Sequence, residues 1–117
     1  MMLIFPLKKQ WYEKIKSGEK TVEYREVKMY WIKRIINITQ QHNYLHDYKA
    51  CDFKSNIPTD DICFKIPMPC FLQLGYNPES RLRADIIKIE IVDGRNTDLH
   101  IDKPVYAIHL SNVREEG

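Results

Sequence analysis

Five charged residues lie within the ten-residue segment SGEKTVEYRE, residues 17–26. Lys20 and Arg25 offer a point charge and a planar fork, and both groups suit the oxygens of a phosphate or a carbonyl. Glu23 can accept a hydrogen bond from a base amino group or a ribose hydroxyl, or take a proton. These residue types can therefore contact a phosphate, a carbonyl or a base. Residue types alone nevertheless favour a solvated face on an ordinary amphipathic strand.

Strand alternation decides which of these side chains can act together. It places Thr21, Glu23 and Arg25 on one face of the predicted strand. It places Val22 and Tyr24 on the other face, which we expect to be the core side. Glu23 and Arg25 are then neighbours that can form an ion pair.

A short helix and a tight turn are predicted to position the strand. Residues 8–18 (KKQWYEKIKSG) carry Trp11 and Ile15 four positions apart, on one helical face. Gly18 follows as a natural residue to end the helix. Lys20 comes just after the turn, so strand alternation does not fix its direction, and its side chain can swing towards the candidate cleft.

The remaining chain predicts further elements. MYWIKRIINI has apolar residues at helical spacing, and residues 39–60 resemble a long loop or insertion. The prolines of ICFKIPMPCFLQLGY predict an extended entry at 62–66, a turn at Pro67–Pro69 and a strand at 70–76. RLRADIIKIEIVDG and VYAIHLSNV predict two more strands. This order indicates one α+β domain built on a small, bent sheet or barrel.

The segment from Gly18 to Arg25 fits G-x-K-x-x-E-x-R, and LKKQWYEKIKSGEKTVEYRE resembles the opening of the ASCH domain, a branch of the PUA-like superfamily. FLQLGY, ADIIKIEIVDG and YAIHLSNV resemble the family's three barrel strands in type and order. The resemblance implies an α+β fold with a PUA-like small β-barrel and flanking helices over residues 1–117. It also implies a cleft at the mouth of the barrel that binds RNA or a nucleotide-like ligand.

The ligand-binding residues that we predict come from this motif and from one later turn. Tyr76 can stack on a base and Arg81 can hold phosphate, although GYNPES also fits a simple turn built on Asn77. The predicted ligand-binding set is Lys20, Thr21, Glu23, Arg25, Tyr76 and Arg81.

Two alternatives stay open beside simple binding. Small relatives of the family include an amidohydrolase acting on N4-acetylcytidine and a single-strand ribonuclease. The amidohydrolases carry a threonine nucleophile where this chain has Glu23, so catalysis would fall to Glu23 as a general base on water and Lys20 as oxyanion holder. The other alternative is a protein-interaction module that uses Tyr44, Tyr48 and Phe53.

Charge and composition bear on the kind of ligand and on the compartment of the protein. The net charge is only +2, but residues 1–54 carry 11 basic against 6 acidic residues, which favours an anionic ligand only weakly. No apolar run approaches a membrane span, and three unpatterned cysteines fit a reducing, cytoplasmic compartment.

The histidines and cysteines do not predict a metal site. His42, His46 and Cys51 form H-x3-H-x4-C, but there is no C-x2-C pair to complete a zinc site. The chain has no P-loop and no glycine-rich dinucleotide motif. We therefore predict no metal and no cofactor, and the sequence does not predict an oligomeric state.

Overall fold

The computed structural model describes residues 2–42 and 62–115. The described residues contain five strands and two α-helices, which confirms the predicted α+β class. In chain order the elements are β1 (Leu3–Leu7), α1 (Lys9–Ser17), β2 (Val22–Glu26), α2 (Met29–His42), β3 (Ile62–Leu74), β4 (Arg81–Asp93), a 3-10 turn (Gly94–Asn96) and β5 (Pro104–Glu115).

The five strands form one mixed sheet in the order β1-β3-β4-β5-β2, bent into a half-barrel. β1 runs parallel to β3, and the other neighbours are antiparallel. The register of β4 and β5 shifts twice, between Arg83 and Asp85 and between Ile86 and Lys88. Such bulges increase local twist and help a sheet to curl. β1 and β2 are therefore the two edges of the half-barrel, and Pro6 lies on an edge strand, where proline is tolerated.

The core fills the inner face of the half-barrel and is covered by the two helices. α1 buries Tyr12 and Ile15, which share its apolar stripe. α2 buries Trp31, whose ring stacks on Phe5 of β1 with centroids 5.1 Å apart. α2 also buries Ile32 and Ile35. The strands contribute most of the other buried apolar side chains, among them Leu72, Leu82, Ile86, Ile89, Tyr106 and Ile108.

The predicted turn at Pro67–Pro69 is wrong, because β3 is one strand from Ile62 to Leu74. Two features let the strand accept prolines. The register between β3 and β4 slips between Cys63 and Met68, and β1 pairs with β3 only from Cys70 onwards. The prolines therefore precede the part of β3 that has a neighbouring strand on both sides.

The first four residues of the predicted loop at 39–60 are helical, because α2 continues to His42. The rest of that loop lies outside the described residues, and so do Tyr44, Tyr48 and Phe53 of the interaction-module alternative. Neither of the two described α-helices is long and apolar enough to cross a membrane.

Candidate functional site: a cleft between the edge strands

A cleft of about 580 Å³ opens between the two edge strands of the half-barrel. Its walls come from both edges, from both helices and from the connection between β4 and β5. Its lining includes Pro6, Lys8, Trp11, Lys20, the four residues from Glu23 to Glu26, Lys28, Trp31, Asp98, Leu99 and Ile101. Lys20, Glu23 and Arg25 of the predicted motif therefore line this cleft.

Arg25 bridges the gap between the two edge strands, β1 and β2. Its guanidinium donates from one nitrogen to the carbonyl oxygen of Pro6 on β1, at 2.7 Å, and to Oε2 of Glu23, also at 2.7 Å. The same group lies 5.1 Å from the ring centroid of Trp31 and 5.5 Å from that of Phe5. β1 and β2 share no backbone ladder among the described residues, so Arg25 supplies a side-chain bridge where the sheet stays open.

Glu23 is the buried residue of β2, with 5% of its surface exposed. The expectation that Val22 and Tyr24 face the core is wrong, because both are only partly buried. The carboxylate tolerates burial because both of its oxygens have partners. Oε2 accepts from Arg25, while Oε1 lies 3.3 Å from Nζ of Lys20 and accepts from the Tyr24 N–H at 3.2 Å. A buried charge needs this degree of pairing to avoid a large desolvation cost.

The turn after α1 delivers Lys20 to this carboxylate. Gly18 adopts φ +86°, a left-handed conformation that glycine tolerates, and its N–H donates to Ile15 at 3.1 Å. The N–H of Lys20 then donates to the carbonyl of Lys14 at 3.0 Å, which ties the turn back to the helix. Lys20 therefore lines the cleft and lies beside Glu23.

The ammonium group of Lys20 is almost enclosed, with 11% of its side chain exposed. It forms ion pairs with Glu23 and with Asp98, and its Nζ donates a hydrogen bond to the carboxylate of Asp98. The group also lies 4.9 Å from the ring centroid of Trp11 and 5.1 Å from that of Tyr24. These contacts combine charge pairing with cation–π attraction.

Asp98 is held in place by the segment that we call the strap, residues 97–103. Thr97 is buried, and its hydroxyl donates to the carbonyl of Gly94 at 2.8 Å. The N–H of Ile101 donates to the same carbonyl at 3.2 Å, and the N–H of Gly94 donates to Lys103 at 2.9 Å. The strap is therefore tied to the 3-10 turn on both sides of Asp98.

The charges of the cleft divide into a neutral floor and a basic rim. Lys20 and Arg25 are matched on the floor by Glu23 and Asp98. On the rim, Lys8 and Lys28 are exposed and line the same cavity. Glu26 is the acidic lining residue at the rim, and it lies 3.4 Å from Nζ of Lys103. The cleft thus presents paired donors and acceptors on its floor and exposed positive charge on its rim.

Thr21 belongs to a smaller cavity of about 280 Å³ beside the cleft. This cavity shares four lining residues with the larger one: Trp11, Lys20, Tyr24 and Asp98. Thr21 therefore lines a cavity next to Lys20 but does not line the cleft itself.

Tyr76 and Arg81 lie at the connection between β3 and β4 and line neither cavity. Tyr76 is 90% exposed. Arg81 donates to Oε1 of Gln73 at 2.9 Å and lies 4.9 Å from the ring centroid of Phe71. Asn77 caps the turn by accepting from the Glu79 N–H at 3.0 Å, as the simple-turn alternative expected. Binding by Tyr76 and Arg81 stays a prediction.

Outside the cleft, His109 and Glu90 pair on neighbouring strands. Nε2 of His109 lies 2.5 Å from Oε2 of Glu90, and this hydrogen bond holds the pKa of Glu90 below its usual value. Within the described residues, no three His, Cys, Asp or Glu side chains gather in a way that could hold a metal ion. His46 and Cys51 lie outside those residues.

Sequence reasoning missed several residues of the cleft. Asp98 and Trp31 reach it from distant segments, and nothing in their local sequence signals this. Trp11 could have been found, because an aromatic residue on the apolar stripe of α1 lies directly before the motif.

Comparison with known proteins gives no match to this chain among family models, curated proteins or solved structures.

Proposed function

We propose that this chain is a PUA-like domain of the ASCH type that binds RNA or a nucleotide-like ligand by seating a nucleobase in the cleft between β1 and β2. The observation that carries the proposal is the pairing of aromatic rings with a neutral polar floor in one cleft. About 580 Å³ lies within the range of small-molecule sites and has room for a base and its sugar.

A nucleobase matches the chemistry of this cleft. Its flat face can stack on Trp11 or Tyr24, which are only partly buried and flank Lys20. Its edge carries both donors and acceptors, which suits a floor where Glu23 accepts and Lys20 and Arg25 donate. Phosphates of the same ligand can then lie against the exposed rim lysines, Lys8 and Lys28.

Binding is favoured over hydrolysis because of the state of Glu23. The hydrolase alternative gives Glu23 the role of general base and Lys20 that of oxyanion holder. In the structure each oxygen of Glu23 already faces a cation, and Nζ of Lys20 already faces two carboxylates. A base that must first leave two ion pairs is poorly prepared to take a proton from water.

The test uses the two tryptophans of the chain, both of which line the cleft. A labelled pool of short single-stranded RNA is titrated with the protein while RNA anisotropy and tryptophan fluorescence are recorded, at low and moderate salt. We expect binding with a fluorescence change. Loss of one stacked base predicts that Trp11→Leu weakens affinity by about fivefold or more.

A matched pair of lysine variants separates a rim contact from bulk charge. Lys28 lines the cleft, whereas Lys33 is an exposed lysine of α2 that lines neither cavity. Lys28→Ala should lower affinity and reduce the salt slope by about 0.7, the value for one phosphate contact on a single strand. Lys33→Ala should change little. Absence of binding to RNA and to free nucleosides at low salt would overturn the proposal.

A further inference from the structure

Lys20 lies next to two carboxylates, although one would be enough to balance its charge. Its ammonium lies within ion-pair distance of two carboxylates, Glu23 of its own strand segment and Asp98 of the strap. Glu23 also neutralises Arg25. Without Asp98, the two cations of the floor would face one carboxylate and would carry a net positive charge. Asp98 is the residue that brings this sum to zero.

Asp98 is built into the floor and is not a loose surface charge. The strap is anchored on both sides of it, by Thr97 and Ile101 to the carbonyl of Gly94. Gly94 itself has no space for a side chain, since a Cβ atom there would lie 2.6 Å from the carbonyl oxygen of Lys103. Such close backbone packing keeps the carboxylate beside Lys20 when a ligand arrives.

A fixed carboxylate in this place discriminates between classes of ligand. An anionic phosphate that approached Lys20 would also approach Asp98 and Glu23 and would be repelled by both. An uncharged group with donors and acceptors meets no such repulsion and can hydrogen-bond to the paired side chains.

We propose that Asp98 is a specificity-determining residue that bars phosphate from the floor of the cleft and reserves this place for an uncharged hydrogen-bonding group such as a base edge. The naming of a base edge rests on the proposed function, whereas the exclusion of phosphate follows from the charges alone. Phosphates of the ligand are thereby directed to the rim.

The test measures inorganic phosphate binding by tryptophan fluorescence and by isothermal titration at low salt. Asp98→Asn removes one negative charge at nearly constant shape and should raise phosphate affinity by about tenfold or more over the wild type. Asp102→Asn is the matched control, because Asp102 is an exposed carboxylate of the same strap, 3.5 Å from Arg95. It should change phosphate affinity by less than about twofold. Asp98→Ser, with the same expected gain, serves if the asparagine variant does not fold.

Either of two results overturns the inference: no gain in phosphate affinity in the Asp98 variants, or an equal gain in Asp102→Asn, which would assign the effect to net charge. The outcome is separable from that of the proposed function. If RNA binding holds and phosphate affinity does not rise, only the inference fails. If phosphate affinity rises and neither RNA nor nucleosides bind, the role of Asp98 in excluding phosphate stands and the proposed function fails.

Discussion

Replacing Arg25 by methionine tests whether the ion pairs of the cleft also hold the half-barrel together. Methionine keeps an apolar stem against Phe5 and Trp31 but removes the guanidinium. The carbonyl of Pro6 then loses its donor, and Oε2 of Glu23 loses its partner. The two edge strands are no longer bridged at this point.

The expected loss of stability depends on how far Arg25 is buried and on the partner that Glu23 keeps. Breaking a buried ion pair by removing one partner costs about 3–5 kcal/mol. Here Arg25 keeps 19% of its side chain exposed, and Glu23 still has Lys20 at 3.3 Å. We therefore expect a loss at or just below the lower end of that range, about 2–3 kcal/mol of unfolding free energy. For a chain of this size that corresponds to a fall in Tm of roughly 10 °C.

The chain offers a matched control for this experiment. Arg95 pairs with Asp93 at 2.6 Å, with the same spacing of two residues as Arg25 and Glu23 at 2.7 Å. The difference is exposure, because 65% of the Arg95 side chain is exposed. Exposed pairs contribute little, so Arg95→Met should cause only a small fraction of the loss.

The assay is urea unfolding followed by far-UV circular dichroism, with melting curves as a second measure. Glu23→Gln in the Arg25→Met background removes the charge that lost its partner, so the double variant should recover part of the lost stability. The reasoning is refuted if Arg25→Met costs no more than Arg95→Met. It is also refuted if the double variant shows the full sum of the two single losses.

Two other changes probe the strap and the pair of strands β4 and β5. Gly94→Ala forces a Cβ atom to within 2.6 Å of the carbonyl oxygen of Lys103, so unfolding by urea should show a loss of about 1–3 kcal/mol; an unchanged midpoint would contradict it. The hydrogen bond from His109 lowers the pKa of Glu90 from 4.5, so the pair stabilises the fold above this pH and loses that effect as the pH falls further. The stability advantage of wild type over Glu90→Gln, about 1 kcal/mol or less at neutral pH, should therefore shrink on acidification below pH 4.5. Glu79→Gln, at an exposed turn residue, should show no such trend, and a parallel trend in both variants would contradict the assignment.

Local signals in the sequence predict much of the scaffold around the cleft. The apolar stripe of α1 and the glycine at its end predict where the chain turns, since Gly18 takes the left-handed conformation. The turn also frees Lys20 from strand alternation, and its ammonium lies 3.3 Å from Glu23, three residues further along the chain. These features depend on neighbours within a few positions, and that is the range over which residue types and spacing are informative.

The errors arise where distant segments decide the outcome. Apolar content favours Val22 and Tyr24 as the buried face of β2, but Glu23 is the buried residue. The reason is that its partner Arg25 also reaches Pro6 on the opposite edge strand. Alternation alone cannot show that two edge strands face each other.

Asp98 is the clearest case of a residue that local signals do not predict. It pairs with Lys20, 78 positions away along the chain, only because the strap is tied back to Gly94. The prolines of β3 are a second case, because their tolerance depends on where β1 begins to pair.

The central proposal is that the cleft between β1 and β2 binds a nucleobase. Its most direct test is a nuclear magnetic resonance titration of the ¹⁵N-labelled protein with short single-stranded RNA and with free nucleosides. The two indole N–H signals report on Trp11 and Trp31, which both line the cleft. The account predicts saturable shifts of the Trp11 indole and of the amides of residues 20–26, with the amides of the turn at 75–80 unchanged. Shifts confined to the turn around Tyr76, or no shifts at all, would contradict it.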